Sequence, residues 1–545
     1  MFDLDKLSII AIATGSILFF VRRSLRYMRY FQQEEYYPDR FTRWWLEKRA
    51  FDSRGTVVAI TAGLATLGVA ELNLPLALPI SIVAAAILGI IAFREEDPCK
   101  VGKLTLKMTQ RVTRIYRVAL VIYTIAILLV AAGFFHNATP VAVGWFWLVQ
   151  IIFFQTTFAW LIAGNGILWP GEKRIQDGFM QEAKTILGKV DPYVIGISGS
   201  YGKTSTKSIL AKILECVEPT FWPPGSINTP MGITREIRER LVPEHHYAVI
   251  EMAAYKRGSV TRLCNLTPPK AGIITAVGLM HLDRFGSLEN IYLSKTELPQ
   301  AVPQDGILVC NGDNEGARRV WGEFKKRITL VYGLELDKGH LDCWMTDIQP
   351  SESGTHFTIH WEGKEYKGFT KMLGKPMLSN ILAAFTMACA LGYDPEYILA
   401  AIYNLEPEKH RLNLVKQGDG VLLDDSYNSN PTGFKAALEV LEAIPGGRKI
   451  LVTPGMIELG ELQNEENSKI AKEAAGVCDL VAVVGDTNRK ALVEGLRQGG
   501  IKEEQLLQFE NRDSALSYLK ENRKQGDVVL IENDLPDLYE AAVRF

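Results

Sequence analysis

The sequence lacks three features that would assign it directly to a class of protein. Its seven cysteines never form a C-x-x-C pair, and most lie in apolar runs, so they indicate small core residues in a reducing compartment rather than disulfides or a zinc site. Sixty basic residues against 62 acidic ones, with no basic-aromatic patch in the last two thirds, argue against a nucleic-acid partner. Long apolar runs almost disappear after residue 170, so the chain divides into an apolar part and a soluble part.

The first part, residues 1–170, has the composition of an all-α transmembrane region with about five helices. Two of the candidate spans, 75–93 and 118–135, contain no charge and approach the length of about 20 residues that crosses a bilayer. The first apolar run lacks a small-residue cleavage site and precedes a basic cluster, which favours a retained anchor over a signal peptide. We predict spanning helices at 5–21, 56–72, 75–93, 118–135 and 141–168.

Lysine and arginine are concentrated in two segments predicted as loops, 22–54 and 94–117, whereas the turns at 71–74 and 136–140 contain neither. By the positive-inside rule, this predicts a multi-pass protein of the cytoplasmic membrane, with its N-terminus outside and everything after residue 170 in the cytoplasm. Topology alone is the simpler explanation of the arginines, and contact with anionic lipid or a lipid diphosphate is the alternative. An amphipathic linker at 171–190 leads into the soluble part.

The most informative motif is a glycine loop between a predicted strand, 193–198, and a predicted helix that begins at Ser205. Strand, loop and helix together direct backbone N–H groups at a phosphate, while Lys203 adds a positive charge and Thr204 a hydroxyl for Mg²⁺. Ile197 stands where the common phosphate-loop pattern has its first glycine. A chance surface turn is the alternative, but the flanking elements favour a nucleoside triphosphate site. The predicted ATP-binding residues of the loop are Gly199, Ser200, Tyr201, Gly202, Lys203, Thr204 and Ser205.

Predicted strands and helices alternate from residue 191 onward, which is typical of α/β folds with mostly parallel sheets. A polar, strand-like insert at about 327–370 interrupts the alternation, and a hinge is predicted at 404–410. We therefore predict two domains, 191–405 and 406–545. The predicted strands are 193–198, 247–252, 271–277, 307–310, 421–424, 449–453, 480–485 and 527–531.

Three further stretches contain side chains suited to catalysis. Glu251 ends a buried strand, the position at which a nucleotide-binding sheet holds a metal ligand. His281 follows the strand 271–277 and Lys295 lies in a predicted helix; taken alone, a loop histidine with satisfied hydrogen bonds and a solvated surface lysine are the simpler interpretations. The segment 424–431 (DDSYNSNP) is a strand entering an Asx-rich turn, where a plain β-turn is the alternative.

The order and spacing of these segments resemble the Mur ligase family, ATP-dependent amide-forming enzymes of peptidoglycan assembly, over residues 190–545 and not before. Within the family, the members that add D-alanyl-D-alanine to a UDP-linked muramoyl tripeptide are the most similar. The matching stretches are GISGSYGKTSTK at 196–207, NTPMG at 228–232, EMAA at 251–254, HLDRFGS at 281–287, Lys295, NGD at 311–313, KHR at 409–411 and DDSYNSNP at 424–431.

The resemblance implies a fold and a set of roles. The fold is α/β, with a Mur-ligase-type phosphate-loop central domain and a Rossmann-like C-terminal domain after the all-α transmembrane bundle. Lys203 would hold the ATP phosphates, Arg411 would move in from the C-terminal domain, Asn311 would lie near adenine and Asp425 would bind ribose. Mg²⁺ would be held by Thr204, Glu251, His281 and a carbamylated Lys295. The implied catalytic residues are Lys203, His281, Lys295 and Arg411.

The implied reaction begins when an acceptor carboxylate attacks the γ-phosphate of ATP, giving an acyl phosphate from which an amine displaces phosphate. Catalysis of such a transfer is largely positioning and electrostatic stabilisation. The partners would be a cell-envelope precursor, either UDP-linked or lipid-linked, an amino acid or dipeptide, and the lipid bilayer. The sequence does not identify a protein partner or an oligomeric state, and no nucleic-acid partner is predicted.

Departures from the family pattern leave the identity of the acceptor undetermined. Thr229 and Ala253 replace a usual asparagine and glycine, and the segment 374–380 retains only the glycine and final asparagine of a usual motif. The membrane bundle stands where the family has a UDP-sugar-binding domain. A poly-γ-glutamate-type synthetase of the same fold is one alternative, and an ATP-driven transporter or regulatory ATPase is another. The latter lacks an ABC-type signature, and the spans contain few internal charges.

Overall fold

The computed structural model describes residues 3–102, 104–280, 282–324, 328–335, 340–351, 353–417 and 420–535. These residues divide into two compact units, of which the first ends at Ile175 and the second comprises Gln176–Leu535. The first unit is helical, and the second contains two β-sheets with flanking helices.

Apolar helices make up the first unit. Among the described residues, α1, α3 and α5 are long and apolar enough to cross a membrane, and α6 with α7 adds a fourth candidate if this pair, bent by 60°, is one span. The third predicted span forms α4, a shorter apolar helix of 17 residues. The bounds are α1 Leu4–Gln33, α2 Pro38–Glu47, α3 Ser53–Glu71, α4 Ala77–Phe93, α5 Gln110–His136, α6 Pro140–Gln155 and α7 Thr157–Val190.

The segment 22–54, predicted as a loop, is helical for most of its length. α1 continues into it as far as Gln33, and α2 follows. Arg23 is fully buried in α1, where its Nε lies 2.8 Å from Asp52 Oδ2 and its Nη1 lies 2.9 Å from Glu95 Oε1. Both acids compensate the charge of the buried guanidinium, and arginine is a good helix former, so the basic cluster is compatible with a continuous helix.

The predicted span 141–168 is not one helix. It is interrupted between Gln155 and Thr157. At the break, Gln155 Nε2 donates hydrogen bonds to Asp52 O at 2.8 Å and to Thr56 Oγ1 at 2.7 Å. The predicted linker, 171–190, continues α7 rather than forming an element of its own.

A nine-stranded sheet forms the central domain, in the order β2-β3-β1-β4-β5-β6-β7-β8-β9. The strands from β2 to β7 pair in parallel and are short, mostly apolar runs with helices on both faces, whereas β7, β8 and β9 pair antiparallel. The predicted insert at 327–370 supplies the last four strands. The bounds are β1 Tyr193–Ser198, β2 Thr220–Phe221, β3 Tyr247–Glu251, β4 Ala271–Ile274, β5 Ile307–Asn311, β6 Ile328–Gly333, β7 Cys343–Ser351, β8 Gly354–Trp361 and β9 Lys364–Thr370.

A six-stranded sheet forms the C-terminal domain, in the order β10-β11-β15-β12-β13-β14, with only its edge strand β10 antiparallel. Its strands are β10 Asn413–Gln417, β11 Gly420–Asp425, β12 Lys449–Thr453, β13 Leu480–Val484, β14 Leu506–Phe509 and β15 Val528–Glu532. The helices of the two domains are α8 Lys203–Glu215, α9 Pro230–Arg240, α10 Ser259–Leu266, α11 Leu282–Phe285, α12 Leu288–Ala301, α13 Glu315–Glu323, α14 Lys375–Ala390, α15 Pro395–Tyr403, α16 Pro431–Ala443, α17 Gln463–Val477, α18 Arg489–Gln498 and α19 Arg512–Glu521.

The central strands β3, β1 and β4 are neighbours, so the loops that follow them leave one edge of the sheet. β1 leads into the glycine loop, β3 ends on Glu251 and β4 leads to the segment that contains residue 281. Ligands of open α/β sheets bind outside the carboxyl ends of the strands. This edge is therefore where the candidate site is expected.

Candidate active site

The glycine loop leaves β1 and enters α8 at Lys203. Gly199 and Gly202 have φ angles of 153° and 78°, and a Cβ at these positions would collide with the side chains of Thr275 and Asn380. Both positions therefore require glycine, which lets the loop pack against its neighbours while the first N–H groups of α8 face its mouth. An anionic phosphate is the ligand that this arrangement favours.

Lys203 is the half-buried lysine of this loop. Its Nζ donates a hydrogen bond to Ser200 O at 2.9 Å. Burial lowers the pKa of Lys203, Glu251 opposes that shift, and the positive charge of Arg411 adds to it. An anion bound beside Lys203 would compensate the lost solvation of its ammonium group.

Glu251 and Thr204 are paired at the predicted metal position. Thr204 Oγ1 donates to Glu251 Oε2 at 2.9 Å, and Asn228 Nδ2 donates to Oε1 of the same carboxylate at 2.9 Å. Adjacent ligands of an octahedral Mg²⁺ lie about 3.0 Å apart when each is about 2.1 Å from the ion. The two oxygens thus already have the spacing that one Mg²⁺ requires.

The protein offers few other metal ligands here. Among the described residues, no group of three or more His, Cys, Asp or Glu side chains could hold a metal ion. His281, the other predicted ligand, lies outside the described residues. Mg²⁺ commonly keeps water and substrate phosphates as ligands beside one or two protein groups, so a hydroxyl and a carboxylate suit it.

Two more lysines are buried at the same edge. Lys295, on α12, is 3% exposed; burial lowers its pKa well below the ordinary value, and the charge of Lys203 adds to this shift. Lys207, on α8, is fully buried, donates to Gly225 O and lies 3.9 Å from Glu251 Oε2. Burial also lowers the pKa of Lys207. This edge of the sheet is therefore rich in lysines whose amino groups are poorly solvated.

A cavity of about 220 Å³ opens at this edge and is closed from the other side by the C-terminal domain. From that side, Arg411 places its guanidinium 4.2 Å from the ring centroid of Tyr427, and Tyr427 OH donates to Ser226 Oγ at 2.5 Å. The described lining residues are Ser200, Tyr201, Gly202, Lys203, Thr204, Ser226, Asn228, Glu251, Ala253, Ala254, Tyr255, Met280, Phe285, Lys295, Arg411, Tyr427, Asn428 and Asn430.

Most predicted site residues thus meet in one cavity, but four lie apart from its described lining: Gly199 and Ser205 at the ends of the glycine loop, and Asn311 and Asp425. Asn311, at the end of β5, accepts from Asp313 N at 2.9 Å through its Oδ1. Asp425 Oδ1 accepts from Leu412 N at 3.0 Å, and burial raises the pKa of Asp425 to about 6 next to the buried Glu532. The adenine and ribose roles assigned to Asn311 and Asp425 remain predictions.

Sequence reasoning did not name Lys207 or Ser226, and within the segment 424–431 it gave a role to Asp425 but none to the cavity residues Tyr427, Asn428 and Asn430. A signal for Lys207 was available, because it follows Lys203 by four residues on one helix and therefore shares its face. Ser226 offers no such signal, since its approach to Tyr427 depends on how the two domains pack.

Comparison with known proteins agrees with this geometry. Residues 197–388 match the Mur ligase middle domain, and residues 410–532 match the Mur ligase glutamate ligase domain. The chain is 30% identical over 358 residues to the UDP-N-acetylmuramoyl-tripeptide–D-alanyl-D-alanine ligase of Bacillus subtilis, covering 65% of this chain and 75% of that protein. The enzyme of the same name from Mycobacterium tuberculosis is 30% identical over 363 residues, covering 62% and 70%.

Solved structures give the same result. A MurF crystal structure from Acinetobacter baumannii superposes with a TM-score of 0.60 at 25% identity, over 66% of this chain and 77% of that one. MurF from Thermotoga maritima in complex with ADP superposes with a TM-score of 0.59 at 27% identity, over 66% and 80%.

Proposed function

We propose, since this chain belongs to the Mur ligase family, that it joins the amine of an amino acid or dipeptide to a carboxylate of a peptidoglycan-type precursor at the membrane surface. The broader activity, ATP-dependent carbon–nitrogen ligation, is that of the family. The observation that most supports the proposal is the cavity in which Lys203, Glu251 and Lys295 of the central domain face Arg411 of the C-terminal domain.

The residues suggest how the phosphoryl transfer would proceed. The amides of the glycine loop and Lys203 would hold the β- and γ-phosphates. The acceptor carboxylate would attack the γ-phosphorus, the bond to the β,γ-bridging oxygen would break, and ADP would leave. Arg411 would neutralise charge that develops on the transferring group. The amine would then attack the acyl carbonyl, and inorganic phosphate would leave. The small cavity would exclude water, to which the acyl phosphate would otherwise be lost.

Thr204 and Glu251 would hold Mg²⁺, which supplies positive charge to the phosphates. Their 2.9 Å separation supports this assignment, and Asn228 fixes the free oxygen of Glu251. His281 and Lys295 would complete or orient a second metal position, as in the family.

Carbamylation of Lys295 is part of the proposal. A neutral amine is the form that reacts with CO₂, and burial beside Lys203 favours the neutral form of Lys295. The carbamate would be an anion beside positively charged side chains. It would thereby compensate those side chains for the solvation they lose in this cavity.

The acceptor is proposed to be presented at the bilayer, in lipid-linked form. The reason is that the first 175 residues form apolar helices, three of which meet the length and composition of a membrane span. An enzyme anchored in this way meets a lipid-linked precursor in two dimensions, whereas anchoring adds nothing to the capture of a freely diffusing UDP-linked one.

The function is tested with full-length protein in detergent or liposomes, ATP, Mg²⁺ and candidate amino acids or dipeptides, with UDP-linked or lipid-linked muramoyl peptides as acceptors. ADP release that requires both an amine and the lipid-linked acceptor is the expected result. Turnover only with the UDP-linked form contradicts the lipid-linked acceptor, and repeated addition of glutamate would indicate a polymer synthetase instead.

Topology has a separate test, because Cys216 is an exposed thiol of the central domain. In a Cys99→Ser background, Cys216 should react with a membrane-impermeant maleimide only after cells are permeabilised, while an N-terminal epitope tag should be accessible in intact cells. Cys216→Ser is the control for background labelling. Labelling of Cys216 in intact cells would contradict a cytoplasmic catalytic part.

A further inference from the structure

The segment that follows β4, here called the bridging segment (residues 278–280 and 282–286), is held by the glycine loop on one side. Ser200 Oγ donates to Gly278 O at 3.0 Å and accepts from Gly278 N at 3.1 Å. Tyr201 OH donates to Leu279 O at 2.5 Å. Three hydrogen bonds therefore join the phosphate-binding loop to the bridging segment.

On its other side, the bridging segment is hydrogen-bonded to Glu458 of the C-terminal domain. Leu282 N donates to Glu458 O at 3.0 Å, and Arg284 Nη2 donates to Glu458 Oε1 at 2.8 Å. The side chains of Arg284 and Glu458 are 19% and 15% exposed. Arg284 also stacks on Tyr255, which lines the cavity, with 5.2 Å between guanidinium and ring centroid. The ion pair is thus largely shielded from solvent and adjoins the cavity wall.

Glu458 adopts a conformation that a glutamate rarely adopts. Its φ is 63°, in the left-handed region, which costs a residue with a Cβ conformational energy. Such strain persists only where surrounding contacts determine the backbone, and it is common at clamps and switches. Here the strained residue makes both the backbone and the side-chain contact to the bridging segment.

The loop that contains Glu458 is fixed within the C-terminal domain. Asn467 Oδ1 accepts from Met456 N at 2.8 Å, Asn488 Nδ2 donates to Met456 O at 2.9 Å, and Asn533 Nδ2 donates to Gly455 O at 2.7 Å. All three asparagines are buried. The position of Glu458 within the C-terminal domain is therefore fixed. Its contact with the bridging segment consequently depends on the position of that domain.

We propose that the Arg284–Glu458 ion pair is the interdomain contact that couples docking of the C-terminal domain to the geometry of the phosphate site. This inference rests on the proposed ligase function and adds two positioning residues to it. When Glu458 meets Arg284, the bridging segment is held between the docked domain and the glycine loop, so the phosphate site is ordered only in the closed arrangement. Neither residue touches the reacting atoms in this role.

The first variant is Glu458→Asn. Asparagine tolerates the left-handed region and keeps the backbone carbonyl, so the change removes the carboxylate without adding strain. We expect kcat to fall about 30-fold, with KM for ATP changed less than about threefold, because loss of one partner of a shielded charge pair disturbs closure rather than ATP binding. Arg284→Met should have the same effect.

The charge-reversed double variant, Arg284→Glu with Glu458→Arg, should recover at least about tenfold over either of its single changes. The matched control is the ion pair of Arg497 with Glu503, whose Nε–Oε1 distance is 2.7 Å on the exposed surface of the C-terminal domain. Glu503→Asn should leave kcat unchanged. Thermal melting of every variant verifies that it is folded.

Hydrogen–deuterium exchange provides a readout that does not depend on turnover. Glu458→Asn should increase amide exchange in the bridging segment and in the glycine loop, and Glu503→Asn should not. Unchanged exchange and wild-type kcat in folded Glu458→Asn would overturn the proposal, as would a loss of kcat that the double variant fails to restore. If no acceptor supports turnover even in the wild type, the ligase proposal fails, while the exchange experiment still tests the coupling.

Discussion

Buried charge is arranged in opposite ways in the helical unit and in the central domain. In the helical unit, the guanidinium of Arg23 lies 2.8 Å from Asp52 and 2.9 Å from Glu95, so the protein itself supplies the counter-charge. At the cavity, the described lining contains the basic residues Lys203 and Lys295 of the central domain and Arg411 of the C-terminal domain but one acid, Glu251.

The difference separates a structural from a functional use of buried charge. A compensated ion pair needs nothing from solution and stabilises one arrangement of helices. An excess of basic side chains around a partly enclosed cavity is costly until an anion binds, and it therefore indicates a ligand. Phosphates and a carbamate are the anions that the proposed reaction brings to this cavity.

The largest effect is expected at Lys203. Lys203→Ala removes the ammonium that would hold the β- and γ-phosphates, so ATP turnover should fall by about 1,000-fold, which is about 4 kcal/mol of transition-state stabilisation. The measurement is ADP release under saturating substrates. Lys212→Ala, at the other end of α8, is the control and should retain wild-type turnover. Wild-type turnover of Lys203→Ala would show that the lysine of the glycine loop is not needed for catalysis.

Arg23 should behave in the opposite way. Arg23→Met leaves Asp52 and Glu95 buried with less counter-charge, which should lower the free energy of unfolding by about 3 kcal/mol. Turnover of the folded protein at low temperature should stay unchanged. Thermal melting in detergent measures the loss. Arg54→Met is the control, since Arg54 is 56% exposed and 3.9 Å from Glu95, where an ion pair contributes little. If Arg23→Met lost turnover but not stability, the charge of Arg23 would have a functional rather than a structural role, which contradicts the comparison of the two regions.

The fold of the second unit could be predicted closely because its signals are local. The predicted strands 193–198 and 449–453 have the observed bounds, and the others agree within a few residues, since short apolar runs between turns identify buried parallel strands. β2, of two residues, offers no such run. In the helical unit, the break at Thr156 was missed because it adjoins hydrogen bonds to Asp52, about a hundred positions earlier in the chain.

The site was predictable as far as its parts lie in motifs. Ser200 to Thr204 follow β1 and Glu251 ends β3, and these residues line one cavity. The contacts between domains were not predictable. Glu458 and Arg284 are 174 positions apart, and no sequence pattern around either residue indicates the other as its partner. His410 and Leu412, at the predicted hinge, also have left-handed backbone. No glycine marks these two positions, so the sequence did not indicate this conformation.

Variants of Lys295 test whether a carbamate on this residue reduces the excess of positive charge in the cavity. Lys295→Ala would remove that anion, and turnover should fall about 100-fold, which is about 2.7 kcal/mol, while ATP still binds. Added acetate or formate should partly restore turnover by occupying the vacated space. Lys295→Arg should not be rescued, because its side chain fills that space. Full turnover of Lys295→Ala without added acid would exclude the carbamate.

The smallest effect concerns a third arrangement, two buried acids side by side. Burial raises the pKa of Glu532 well above its ordinary value, with the charge of Asp425 adding to the shift, and burial raises the pKa of Asp425 to about 6. The folded state therefore keeps protons that the unfolded state releases above a pH of about 4. Stability should fall as the pH rises from about 4 to 6 and should not recover above that range.

Glu532→Gln should weaken this dependence because it removes one charge of the pair. Ser429 Oγ donates to Glu532 Oε1 at 2.5 Å, and a glutamine oxygen can accept the same bond. We expect a gain of about 1–2 kcal/mol in the free energy of unfolding at pH 8 and a shallower loss between pH 4 and 6. Melting temperatures across that range measure both, with the exposed Glu521→Gln as the control. A variant that is less stable than the wild type at pH 8 would mean that the ionised pair is compensated after all, and the C-terminal domain would then resemble the helical unit rather than the catalytic cavity.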